Sequence, residues 1–142
     1  MRIFLLLPVL IVAACASTSG TPLPGANRDA SATYYVENHG EDERHLEDLI
    51  AEVLRARGLD AMGGSAAERP PSATYLVRYI DRWYWDMRMY LIDFTIEVRD
   101  PQTNKMLGFG QSYQDSLAAM GMTYRDVIER AVDELLARPD TD

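Results

Sequence analysis

The chain has 142 residues, with 14 Lys+Arg against 22 Asp+Glu and a net charge of -8. A surplus of acid repels nucleic acid and anionic membrane surfaces, so nucleic-acid binding is excluded as a partner class. One cysteine leaves no possibility of an internal disulfide, and the fold must be stabilised by one core.

Arg2 is a positive start, Ile3 to Val12 is apolar apart from Pro8, and Ala13-Ala14 are the small residues of a signal-peptidase site. The apolar run falls short of the ~20 residues that a spanning helix needs. Cys15 follows directly. Val12-Ala13-Ala14-Cys15 resembles a bacterial lipoprotein signal, which implies removal of residues 1–14 and lipidation of Cys15 (a diacylglyceryl thioether plus an amide-linked acyl chain). Three buried chains, at about 0.8 kcal/mol per CH₂, make release negligible. Ala16 and Ser17 in place of an Asp resemble the route to the outer membrane of a Gram-negative bacterium, facing the periplasm. The removed segment carries Arg2 and no acid, so the mature chain is more acidic still.

Residues 15–32 are rich in Ser, Thr, Gly, Pro and Ala, and are expected to be the lipidated Cys and a flexible tether. Residues 33–138 are expected to form a single α+β domain, and 139–142 a tail. Thr33 to Asn38 has strand composition. Glu41, Asp42 and Glu43 are expected to open a helix whose stripe is Leu46, Leu49, Ile50, Val53 and Leu54, ending at Gly58. Leu59 to Met62 reads as a short strand, and Gly63 to Ser72, with Gly-Gly and Pro-Pro, as a loop.

Ala73–Tyr84 and Met87–Arg99 read as a hairpin turning near Trp85-Asp86. Tyr75 is placed opposite Val98, Val77 opposite Ile96, Tyr79 opposite Phe94 and Trp83 opposite Tyr90, which makes one face almost wholly apolar. Arg78, Arg82, Asp93, Thr95 and Glu97 fall on the other. Met106 to Tyr113 is expected to return as a third strand with Leu107 and Phe109 on the apolar face and Gly108, Gly110 and Ser112 outside. Thr123 with Asp126 is a capping box ahead of a second stripe, Val127, Ile128, Ala131, Val132, Leu135 and Leu136. The fold class expected is α+β: a mostly antiparallel four- to five-stranded sheet with two amphipathic helices packed on one face.

No motif for catalysis, phosphate binding or a metal is present. His39 and His45 lack the convergent partners of a zinc site, there is no G-x-S-x-G and no phosphate loop, and Glu41-Asp42-Glu43 is better explained by the helix dipole than by a cation. The expectation is a non-enzyme with no catalytic residues, no metal and no cofactor. Asp81 stands out because the register puts a carboxylate on the apolar face, opposite Ile92: either an ion pair satisfies it or it marks a small-ligand or hydrolase site. The hairpin end is dense in residues favoured at interfaces, and Tyr84, Trp85, Met87, Met89 and Leu91 are expected to form an exposed partner-binding patch, unless the tether or Met120-Gly121-Met122 folds over them.

Ala73 to Tyr79 and Phe94 to Gly110 together resemble small outer-membrane lipoproteins of the Domain of Unknown Function 4136 type over about residues 33–138. That resemblance implies a lipidated Cys, a helix ending in a Gly-containing turn and a final helix, and no known catalytic residues. The function expected is a lipid-anchored envelope module that binds a protein partner or forms a homodimer. A ligand site near Asp81 and a purely structural envelope role are the alternatives.

Overall fold

In a computed structural model, residues 14–40 and 43–138 are described; the expectations for the leader, for Glu41 and Asp42 and for the 139–142 tail lie outside them. β-Branched and aromatic residues alternate with polar ones along β4 (Tyr75–Asp86) and β5 (Arg88–Arg99), which pair antiparallel with the turn at Met87. β6 (Met106–Gln114) pairs with β5, and β1 (Ala16–Thr21) pairs with β6, both antiparallel. On the other side of β4, β2 (Thr33–Glu37) and β3 (Asp60–Gly64) add in parallel. The sheet is therefore mixed and six-stranded, in the order β1-β6-β5-β4-β2-β3. The α+β class is as expected, whereas the strand number and the parallel pairs go beyond the expected antiparallel sheet.

α1 (Leu46–Ala56) connects β2 to β3, and α3 (Tyr124–Leu135) closes the chain. Ile50, Val53 and Leu54 from α1 and Val127, Ile128, Ala131, Val132 and Leu135 from α3 bury against Val36, Val77, Phe94, Ile96 and Val98 of the sheet in one core. α1 starts later than the acids at 41–43 implied, with His45 at its N-cap and Glu47 and Asp48 as the first-turn acids. The Thr123–Asp126 capping box forms as read. A short helix that the sequence reading lacked, α2 (Ser116–Met120), is started by Asp115, whose Oδ1 accepts from the Ala118 N–H at 2.8 Å.

The registers differ from those expected. Val77 pairs with Val98, Tyr79 with Ile96 and Asp81 with Phe94, a slide of two residues along β5 that keeps every side chain on its face. A bulge at the Arg82/Trp83 step then shifts the pairing, so that Trp83 meets Leu91. Between β5 and β6 the slip is one residue, which reverses the faces. Gly108, Gly110 and Ser112 lie opposite Val98, Ile96 and Phe94 and are buried, while Phe109 pairs with Glu97 and is half-exposed. The cause is α3. A Cβ on Gly110 would occupy the space of the Ala131 carbonyl oxygen and come within 2.7 Å of the Leu135 nitrogen. Bare backbone at this point lets the helix lie directly on the sheet.

The expected tether at 15–32 is corrected. β1 begins immediately after Cys15, Leu23 is completely buried, and Ala32 is buried too. Leu23 N–H donates to the Leu135 carbonyl at 2.7 Å, and the Arg28 guanidinium donates to the carbonyls of Leu136 at 2.7 Å and Ala137 at 2.9 Å. The carbonyls at a helix C-terminus lack intrahelical partners and carry partial negative charge, so a cation there is doubly favourable. The segment is thus held by its backbone pairing, by one buried leucine and by Arg28.

Candidate functional site

Cys15, the anchor candidate, is exposed at the edge of the sheet. Its N–H donates to Asp115 Oδ2 at 2.9 Å, and its carbonyl accepts from the Asp115 N–H at 3.0 Å. Asp115 therefore ties Cys15 to the end of β6 and caps α2 at once. The Ala118 N–H, and then that of Cys15, hold its carboxyl below the usual carboxylate range. An amide-linked acyl chain on the Cys15 nitrogen would still leave one N–H for Asp115. At the end of β6 the fully buried Gln114 donates from Nε2 to the Leu91 carbonyl at 2.7 Å and accepts from Ser112 Oγ at 3.2 Å, which fixes β6 against β5.

Past that point β4 and β5 continue alone as a two-stranded ribbon, in which Tyr84 pairs with Tyr90, Trp85 with Met89 and Asp86 with Arg88. Met87 occupies the turn with φ 59, a left-handed conformation uncommon outside glycine, and is 92% exposed. Trp85 is 66% and Tyr84 44% exposed, and Ile80 lies open on β4. Met89 is half-buried. Leu91, expected in the same patch, is a correction: the bulge turns it inward opposite Trp83, and it is 2% exposed within the core. Trp83 stands edge-on to Tyr124 at 4.9 Å, with the Arg44 guanidinium 4.2 Å from its ring. Arg88 lies 4.7 Å from the Tyr90 ring and donates to the Met120 carbonyl at 2.9 Å. The Met120–Met122 loop thus reaches the base of the ribbon but leaves Trp85 and Met87 open. A cleft of 350 Å³ lies between them, lined by Arg88, Tyr90, Met120, Met122 and Tyr124, and its lining holds no carboxylate or imidazole.

Asp81 faces Phe94 rather than Ile92. Its Oδ1 lies 2.9 Å from His39 Nε2, its Oδ2 accepts from the Trp83 indole N–H, and the His39 ring stacks beside Tyr79 at 5.0 Å. Both oxygens are engaged, and Asp81 lines neither the cleft beside Arg88 nor a second one of 220 Å³ between Tyr35, Asp60, Met62 and Pro70. The outer face carries the expected charged lattice: Arg82 to Asp93 at 2.7 Å, Gln111 to Asp93 at 2.9 Å, Arg99 to Glu97 at 2.8 Å, and Arg78 and Arg69 to Glu37 at 3.6 and 3.3 Å.

His45, Glu47 and Asp48 bring ligand-type atoms within 4.8 Å of one another. Glu47 is buried, with Oε1 3.2 Å from His45 Nδ1 and Oε2 without a partner among the described residues. His45 is the N-cap of α1 and Glu47 and Asp48 lie in its first turn, where the positive end of the helix dipole favours their carboxylates and opposes a cation. Among the described residues no helix is long and apolar enough to cross a membrane.

Arg28, Leu23 and Asp115 were not read from the sequence as positioning residues. Asp115 directly before Ser-Leu-Ala-Ala was the one visible signal, an N-cap pattern.

These elements define a class of small α+β domain, a mixed sheet with helices on one face and a chain that enters at the sheet edge. Two solved structures share the fold: the PelC dodecamer from Paraburkholderia phytofirmans and a single-substitution variant of the same dodecamer. The first is 17% identical and the variant 18%, each with a TM-score of 0.59 over 88% of this chain and 100% of theirs. A PDZ domain protein from Parabacteroides distasonis aligns over 91% of this chain and 38% of its own at 12% identity and a TM-score of 0.45. No family model matches the chain, and no curated protein matches it in sequence.

Proposed function

We propose that this protein is a non-enzymatic, lipid-anchored assembly module on the periplasmic side of the outer membrane, in the class of small outer-membrane lipoproteins that its sequence resembles. The observation that carries the reading is the position of Cys15. It is exposed, it closes a lipoprotein-type signal, and it joins β1 with no intervening linker. An acyl group there fixes the whole domain to a bilayer rather than trailing it on a chain. The partner class is other copies of this chain. The PelC structures of the same fold are dodecamers, and β1 and β3 leave two strand edges through which chains can meet.

Metabolic labelling with an alkyne-bearing palmitate analogue tests the anchor. Wild-type chain takes up label and remains with detergent-extractable membranes, and Cys15→Ala takes up none. Equal labelling of both forms would refute the assignment.

A further inference from the structure

Cys15 and the hairpin turn lie at the same end of the sheet. β1 places Ala16 opposite Gln114 of β6, β6 places Tyr113 opposite Asp93 of β5, and β5 then runs back through Leu91 to the turn at Met87. From the level of Leu91, which accepts from Gln114, to Met87 is four residues, or roughly 13 Å at strand rise. The ribbon therefore projects past Cys15 in the strand direction, two strand spacings to its side.

Most side chains open at this end are aromatic or apolar, with Asp86 and Arg88 beside the turn as the charged exceptions. Trp85, Met87 and Tyr84 are exposed on the ribbon, and Leu117 and Met120 are exposed on α2, which starts from the same Asp115 that binds Cys15. Between the two groups, Arg88 joins the ribbon to the Met120 carbonyl. Trp and Tyr concentrate at membrane–water interfaces, where an apolar body and a polar tip are both satisfied, and a neighbouring guanidinium can meet lipid phosphate. Exposed apolar side chains grouped in this way mark a contact site with a protein or a membrane.

Resting on the lipid reading of Cys15, we propose that this end of the domain lies on the phospholipid bilayer that holds the Cys15 acyl chains. Trp85 and Met87 enter the interfacial layer, and Leu117 and Met120 rest beside them. Because β1 starts at Cys15, the anchor presents these side chains to the surface at high effective concentration. Net charge opposes the approach of the free domain to an anionic membrane, so the contact follows anchoring and does not replace it. Its consequence is orientation: the strands stand on the bilayer, and the outer charged face and both sheet edges point sideways, open to other copies.

The two tryptophans make the test direct. The full chain carrying Trp83→Phe is purified from membranes, acylation is confirmed by intact mass, and the protein is placed in phosphatidylethanolamine–phosphatidylglycerol vesicles. Trp85 emission is expected to shift to the blue relative to detergent-free chain without acyl groups, and lipids brominated near the top of the acyl chain should quench it at least twofold. In a Trp85→Phe protein, which keeps Trp83 in its packed position, that quenching should be lost. Acylated protein that floats with the vesicles yet shows water-like, unquenched Trp85 would overturn the proposal. Blue-shifted emission without bromine quenching would also overturn it, since a second chain would then cover the patch. A purified chain bearing no acyl mass would instead overturn the anchor reading itself.

Discussion

At the scale of single residues, Gly110 is the position where the fold tolerates least. Its missing side chain is the space that α3 fills. Gly110→Ala should lower stability by about 2 kcal/mol through overpacking, read as a lower urea midpoint. Gly25→Ala, where an added Cβ meets nothing within 4 Å, should leave that midpoint unchanged within error. Titration follows from the same local view. Backbone N–H bonds hold the carboxyls of Asp29, Asp100, Asp115 and Asp126 below the usual 3.8, and the Ser65 hydroxyl, then its N–H, hold Glu68 below the usual 4.5. Each binds protons less readily folded than unfolded. Their contribution is therefore complete above the ordinary carboxylate pKa and is lost as pH falls through the folded values. Tyr34 acts at the other limit. Burial first, then the neighbouring Tyr75, pushes its hydroxyl from 10.0 up to about 12. Its contribution is present below 10 and fades as pH rises toward 12, because the unfolded chain ionises first. Equilibrium unfolding across pH should show a plateau bounded by an acid limb and this alkaline limb. Tyr34→Phe should remove its share of the alkaline limb and leave the acid limb in place.

At the scale of elements, the difference between what the sequence showed and what the fold does has a physical pattern. α1, α3 and the Thr123–Asp126 cap were legible because their signals are local, a 3.6-residue apolar stripe and a side chain that bonds the backbone three residues on. The strands β4, β5 and β6 were legible as strands, but their pairing was not. A slide of two residues preserves the alternation of faces, so no apolar pattern distinguishes Val77–Val98 from Val77–Ile96. The β5–β6 register was set by a requirement outside both strands, room for α3 over Gly110 and for the Thr21–Leu23 backbone over Gly108, and large residues were wrongly expected to mark the core face. The outward placement of Leu91 failed for a related reason, since one bulge reverses a strand locally. β1 carries no apolar alternation at all; an edge strand of Ala, Ser, Thr and Gly is held through backbone pairing, with Leu23 and Arg28 as its fastenings. Hydrogen exchange distinguishes this strand from a tether. Amides within 16–21 that pair with β6 should be protected well beyond the rates of free chain. Leu23→Ala should cost about 2–5 kcal/mol and raise exchange in both 16–21 and the last turn of α3. Free-chain exchange rates throughout 16–32 in the wild type would contradict the placement of β1.

At the scale of the whole molecule, the proposed anchor at Cys15, the ribbon and the sheet edges form a single arrangement. Cys15 lies at one end of a sheet whose two edges, β1 and β3, lie to its sides. On the proposed reading, a domain standing on an acylated Cys15 would meet other copies laterally, and heterologous contacts of that kind close into rings where the rotation between copies closes. The sequence contributed the proposed anchor and a family resemblance to this picture. It pointed to a linker at 15–32 that the structure replaces with β1 and a buried Leu23, because a Ser/Thr/Gly-rich composition is the same in a tether and in a polar edge strand.

The anchored, self-assembling module is tested most directly by native mass spectrometry of the full chain extracted from membranes in mild detergent. The mass per subunit and the number of subunits then come from one spectrum. The prediction is a homo-oligomer of chains that each begin at Cys15 and carry its acyl groups. Monomers at concentrations that preserve other membrane assemblies, or subunits with an unmodified Cys15, would contradict it.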